Sequence, residues 1–182
     1  MNHPFDQFVP PFGLRSRHIQ SLLNSSALRR RKVSGRSVAL RECAEVWTLD
    51  GRVGDEGTQI RLQGLYSKQP GESRGLAVLL HGWEGSVDSN YMLANGARLF
   101  QAGFDVFRLN FRDHGGTHHL NPGIFHSCRL DEVVLALRDL QDRLQACPWY
   151  LCGYSLGGNF SLRVALRAEE AGLDLGQVVA IC

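Results

Sequence analysis

Leu76-Ala77-Val78-Leu79-Leu80 is apolar at every position. A strand with one wet face would alternate, so this pentad predicts a strand covered on both faces, and such strands belong to parallel sheets flanked by helices. The residues that follow keep the same rhythm. Leu93, Ala97 and Phe100 share one helical stripe; Gly103 closes that helix, and Phe104 to Phe111 reads as the next strand. Leu130, Val133, Val134, Leu137, Leu140 and Leu144 recur at three- and four-residue steps with charges between them, the pattern of an amphipathic helix. Pro148 stops it, Trp149 to Cys152 forms a short strand, Leu156 to Ala171 is helical up to Gly172, and Gln177 to Cys182 opens one more strand. Strands alternating with helices imply an α/β fold with right-handed crossovers.

Upstream, Ala39 to Leu49 and Gln59 to Tyr66 have strand character, the second with Ile60, Leu62 and Tyr66 on one face. The turn formers of 50–57 join them, so an antiparallel hairpin with a long loop is expected. Earlier still, Arg15 to Arg41 holds eight Lys or Arg and no acid, with Arg29-Arg30-Arg31-Lys32 at its centre. Such a run could anchor to an anionic surface or serve as a nucleic-acid arm. Aromatic residues stop at Phe12 and resume only at Trp47, so no stacking platform interleaves with the charge. We therefore read 1–37 as a solvated basic segment wrapping a domain formed by 38–182.

With 182 residues the chain suits one domain, and its net charge of +2 gives no global field toward nucleic acid. No apolar run approaches the ~20 residues of a membrane span, and Met1 to Phe12 lacks a signal-peptide pattern. Cys43, Cys128, Cys147, Cys152 and Cys182 are odd in number without metal-type pairing. They read as free buried thiols of a cytoplasmic protein.

Gly153-Tyr154-Ser155-Leu156-Gly157 fits G-x-S-x-G between an expected strand and an expected helix. A strand turning abruptly into a helix strains the serine backbone and projects its hydroxyl from the sheet, while the small flanking residues remove the clash. Gly158 adds a further small residue where helix and sheet approach. Gly153 and Gly158 are also spaced as in a phosphate loop, but Asn159 and Phe160 replace its Lys and Ser/Thr. A nucleophilic Ser155 needs two donors for a tetrahedral oxyanion. One is the N–H of Leu156; the other is expected from His81-Gly82-Trp83-Glu84-Gly85-Ser86, with Trp83 preferred to Gly82. His81, at a strand end, reads as a structural hydrogen-bonding residue. His114 and His118 could suit a metal on a helix, but Gly115 and Gly116 oppose that helix, so the 110–119 segment reads as a loop packed over the active face and no metal site is assigned.

The elbow at 153–157, His81-Gly82 after the third strand and Arg112-Asp113-His114-Gly115 after the fourth resemble the α/β-hydrolase superfamily. Phe8-Val9-Pro10-Pro11-Phe12 and Arg17-His18-Ile19-Gln20-Ser21-Leu22-Leu23 are similar to its YheT-like branch of predicted hydrolases. The resemblance implies hydrolysis of carboxylic esters or thioesters by a Ser–His–acid triad, with no cofactor. It also implies the chain order Ser, acid, His. Those partners would then lie past residue 182, in roughly 60 further residues at ~30 per strand–helix unit. On this reading the chain is an incomplete N-terminal part of the fold and nearly inert by itself, and the strand at 178–182 is a bare apolar edge open to pairing with another chain. Poor solubility or self-association of the isolated chain is expected. Alternatives are a non-catalytic binding protein using the 81–86 and 112–119 loops, and an acyltransferase using the same serine.

Overall fold

A computed structural model describes residues 9–24, 26–53, 59–144 and 148–181. Six strands form one sheet in the order β1-β2-β4-β3-β5-β6, where β1 is Ala44–Val53, β2 Gln59–Ser67, β3 Leu76–Leu80, β4 Asp105–Leu109, β5 Trp149–Tyr154 and β6 Gln177–Ile181. The β1–β2 hairpin and the β2–β4 pairing are antiparallel. β3 lies parallel between β4 and β5, and β6 lies parallel to β5. The expected mostly parallel sheet with an antiparallel N-terminal hairpin is therefore present.

The pleat sorts each strand's residues onto two faces. Leu76, Val78, Leu80, Phe107, Leu109 and Leu151 join a core with α5 (Leu130–Leu144) and α6 (Leu156–Ala171), to which Val133, Val134, Leu137, Leu140, Phe160 and Val164 contribute. Leu79 and Val106 point the other way, packing with Met92, Ala97 and Phe100 of α4 (Asn90–Gln101) and with Leu40 of α3 (Val38–Glu42). Helices thus cover both faces. Each fully buried Leu or Phe contributes about 2 kcal/mol of transfer free energy, so these helix stripes hold the sheet together. Helix α6 ends where Gly172 takes φ +66° and donates its N–H to the carbonyls of Ala168 and Glu169, a left-handed cap that glycine adopts without penalty.

Four local expectations are corrected. Residues 38–42 form α3 rather than the start of a strand, because Leu40 is drawn under α4 and its carbonyl accepts the Ser67 hydroxyl at 2.7 Å. The strand begins at Ala44 and runs through the turn formers as far as Val53; the rest of the expected loop, 54–58, lies outside the described residues. β4 is shorter than 104–111: Phe104 N–H closes the preceding helix onto Leu99 O (3.1 Å), and Phe111 N–H turns to the ring of His81. The described thiols are free, and none of them is buried. Cys43 and Cys128 are exposed and Cys152 is half-buried, while Cys147 and Cys182 lie outside the described residues.

Two further helices precede this body, α1 (Arg17–Asn24) and α2 (Ala27–Arg36). Among the described residues no helix is long and apolar enough to cross a membrane.

Candidate active site

The last residue of β5 and the first of α6 leave a single residue to make the corner, and that residue is Ser155, with φ +52° and ψ −113°. This conformation strains any L-residue. The corner is tight enough to dictate its neighbours. A Cβ on Gly153 would run into the Gly157 carbonyl, and a Cβ on Gly157 would run into the carbonyls of Leu80 and His81. Ser155 is exposed, and its hydroxyl has no hydrogen-bond partner among the described residues. Its own N–H is donated to Ile181 O at 2.7 Å, so β6 fixes the corner from outside. The N–H of Leu156, at the start of α6, finds no acceptor among the described residues.

The loop after β3 presses against this corner. A Cβ on Gly82 would stand 3.1 Å from Tyr154 O and 3.4 Å from the Ser155 Cβ. His81 is fully buried. Its Nδ1 pairs with Gly82 O at 2.7 Å and its Nε2 accepts the Phe111 N–H at 3.1 Å. That pattern requires the neutral Nδ1–H tautomer, and burial lowers its pKa from 6.5 to about 4. His81 is a strut between two loops, as its position at the strand end suggested. Gly82 N–H is donated to the Tyr91 hydroxyl at 2.9 Å. The N–H of Trp83 has no acceptor among the described residues.

An aromatic wall adjoins the loop. The exposed Trp83 ring lies 6.0 Å from Phe125 and 6.5 Å from His114. Phe111 stacks on Phe125 at 5.3 Å and meets Phe160, from the start of α6, at 4.8 Å. Beneath the 110–125 segment, Arg112 donates from Nε (3.0 Å) and Nη2 (2.7 Å) to Oε2 of Glu132 and from Nη1 to Pro122 O (2.8 Å). Burial pushes the Glu132 carboxyl up, and the guanidinium offsets that only in part. His114 Nδ1 pairs with Arg112 O at 2.8 Å, and His118 pairs with Asp113. No group of three metal-ligating side chains occurs among the described residues. His118 begins a three-residue 3₁₀ turn rather than sharing a helix with His114.

The family profile of the alpha/beta hydrolase fold matches residues 77–171, from β3 through the end of α6. The chain belongs to the α/β-hydrolase fold family. A candidate esterase of Synechocystis is 23% identical to this hydrolase-fold chain over 197 residues, covering 97% of the chain and 51% of the relative. A serine hydrolase without a lid from Xanthomonas campestris superposes with a TM-score of 0.56 at 22% identity, over 69% of this chain and 57% of that one. A carboxylesterase from Bacillus subtilis does so with a TM-score of 0.53 at 19% identity, over 85% and 48%. The two structural likenesses establish the fold. The chain spans about half the length of the curated relative it matches.

Within this hydrolase-fold chain Ser155, Leu156, Gly153, Tyr154 and Gly157 form one corner, and Trp83 stands in the loop packed on it. Sequence reasoning missed Tyr91, whose hydroxyl claims the Gly82 amide from the first turn of α4. A tyrosine at a helix start carries no signal of that task.

Proposed function

We propose that this chain carries the nucleophile and oxyanion donors of a serine hydrolase acting on carboxylic esters or thioesters. The observation that carries the reading is the exposed Ser155 hydroxyl on a strained strand-to-helix corner, beside two amides with no acceptor among the described residues. Ser155 Oγ attacks the acyl carbon, its proton passes to a base, and the carbonyl oxygen becomes an anion facing the N–H groups of Leu156 and Trp83. Such donors contribute a few kcal/mol each, because they are already aimed where charge develops. The exposed Trp83 ring and the Phe125 edge offer an apolar wall for the acyl group. No step calls for a cofactor.

Serine is a weak nucleophile without a base, and no histidine among the described residues hydrogen-bonds the Ser155 hydroxyl. Loss of the histidine from a subtilisin triad costs on the order of a millionfold in turnover, so these 182 residues alone are expected to be nearly inert. That unpartnered hydroxyl also favours a second reading, a non-catalytic binding protein on the same scaffold. An acyltransferase would use the same serine with another acceptor. We place the chain in the YheT-like branch on its 8–23 segment, and in the cytoplasm on its unpaired thiols.

The test is a fluorophosphonate probe applied to the 182-residue chain and to any in-frame extension of it. Labelling that maps to Ser155 and vanishes in Ser155→Ala supports the hydrolase. Equal labelling of Ser155→Ala overturns the nucleophile, and no labelling in any form favours the binding protein.

A further inference from the structure

Between Asp6 and Glu42 the sequence has no acidic residue, and Arg15 to Arg41 carries a charge of +8 while the remaining 155 residues carry −6. The positive end is built as two short helices. Ser26 joins them: its N–H (3.2 Å) and hydroxyl (2.8 Å) are donated to Leu23 O, and its Oγ caps α2 by accepting the Arg29 N–H at 3.2 Å. Helix α2 buries Val33 against the body. Helix α1 spaces Ile19, Leu22 and Leu23 at i, i+3 and i+4, and all three are exposed, Leu22 by 73%. Phe12 is 95% exposed on the preceding turn, which is tied to α1 through the Gln20 side chain and Leu14 O (2.5 Å). Helix α2, which contacts α1, supplies Arg29, Lys32 and Arg36, and α4 supplies Arg98, to a groove of about 260 Å³ that Asn95 and Gln101 also line.

We infer that this N-terminal helix pair docks the protein onto an anionic lipid bilayer, with Phe12, Ile19 and Leu22 entering the headgroup–acyl boundary and the Arg29–Lys32–Arg36–Arg98 groove receiving lipid phosphate. An interfacial helix needs an apolar stripe together with flanking cations, and both are here within thirty residues. Nucleic acid would use the cations but has no use for exposed leucines, and the stretch offers no aromatic residue after Phe12 for base stacking. The charge division orients the molecule, since the same surface that attracts the positive end repels the negative body. The inference is independent of the chemistry at Ser155.

Flotation of the chain with vesicles tests it, because aggregates sink and bound protein rises. Vesicles of phosphatidylcholine with about a third phosphatidylglycerol should bind at least tenfold more tightly than phosphatidylcholine alone, since each cation near such a surface contributes about fivefold. Replacing Arg29→Gln and Lys32→Gln should weaken binding about 25-fold. Phe12→Ser with Leu22→Ser should weaken it at least tenfold, with an unchanged far-ultraviolet circular dichroism spectrum in both variants. Equal binding to neutral and anionic vesicles, indifference to the Phe12/Leu22 change, or tighter binding to duplex DNA or RNA than to anionic vesicles would overturn the assignment.

Discussion

The buried ring of His81 accepts the backbone N–H of Phe111 at 3.1 Å, and through that bond the loop after β3 is braced against the loop after β4. An imidazolium cannot accept a hydrogen bond, so the brace exists only in the neutral form. Its folded pKa of about 4 lies below the ordinary 6.5. Between those values the unfolded chain binds a proton that the folded chain refuses. Stability from this group is therefore full above pH 6.5 and is lost as pH falls toward 4, by on the order of 3 kcal/mol. Urea melts from pH 7.5 to 4.5 should show that slope, and His81→Gln should flatten it.

The corner at Ser155 holds a backbone that glycine adopts freely and that strains any residue with a Cβ, serine and alanine alike. Ser155→Gly is expected to stabilise the fold by about 1–2 kcal/mol while removing the hydroxyl. Ser155→Ala, with the same Cβ, should leave stability within about 0.5 kcal/mol. A Ser155→Gly variant that melts no later than Ser155→Ala would show that the backbone is relaxed.

Gly153 and Gly157 face backbone carbonyls where a methyl group would have to stand. Main chain cannot swing aside as a side chain can, so Gly157→Ala should cost about 3 kcal/mol or more. Gly35, with open space around its Cβ position, is the control; Gly35→Ala in the last turn of α2 should stabilise by about 0.5–1 kcal/mol. Denaturant midpoints of the two variants decide the matter.

Arg112 and Glu132 form a buried ion pair beneath the loop that carries His114. Arg112→Met strands a carboxylate out of water and should cost about 3–5 kcal/mol. The double replacement Arg112→Met with Glu132→Leu removes both charges and should recover most of that loss, because desolvation is then no longer incurred. A double-mutant cycle by urea denaturation measures the recovery; additive losses would show that the two side chains act separately.

The sheet was legible because its signals are local. The pentad at 76–80 and the stripe of α5 from Leu130 to Leu140 state their burial by periodicity alone, and all of those residues are buried. The corner was legible for a related reason: its glycines and serine sit between a strand and a helix whose boundaries the sequence marks. What stayed hidden depends on partners distant in sequence. Val38–Glu42 could be strand or helix until α4 supplies a surface for Leu40. Arg108 stands between Phe107 and Leu109 in β4, yet it is fully buried beside α4 with Nη1 donating to Val87 O at 2.8 Å. Burial lowers its pKa to about 10. No pattern within β4 announces that contact, nor the one between Tyr91 and Gly82.

The amide of Ser155 ends on the carbonyl of Ile181, the last described residue of a strand whose outer rim has no neighbour among the described residues. A segment that paired with that rim would hold the strand and, through one 2.7 Å bond, the corner that carries the hydroxyl. Edge strand and serine corner are one mechanical unit, so a disturbance of either reaches the other.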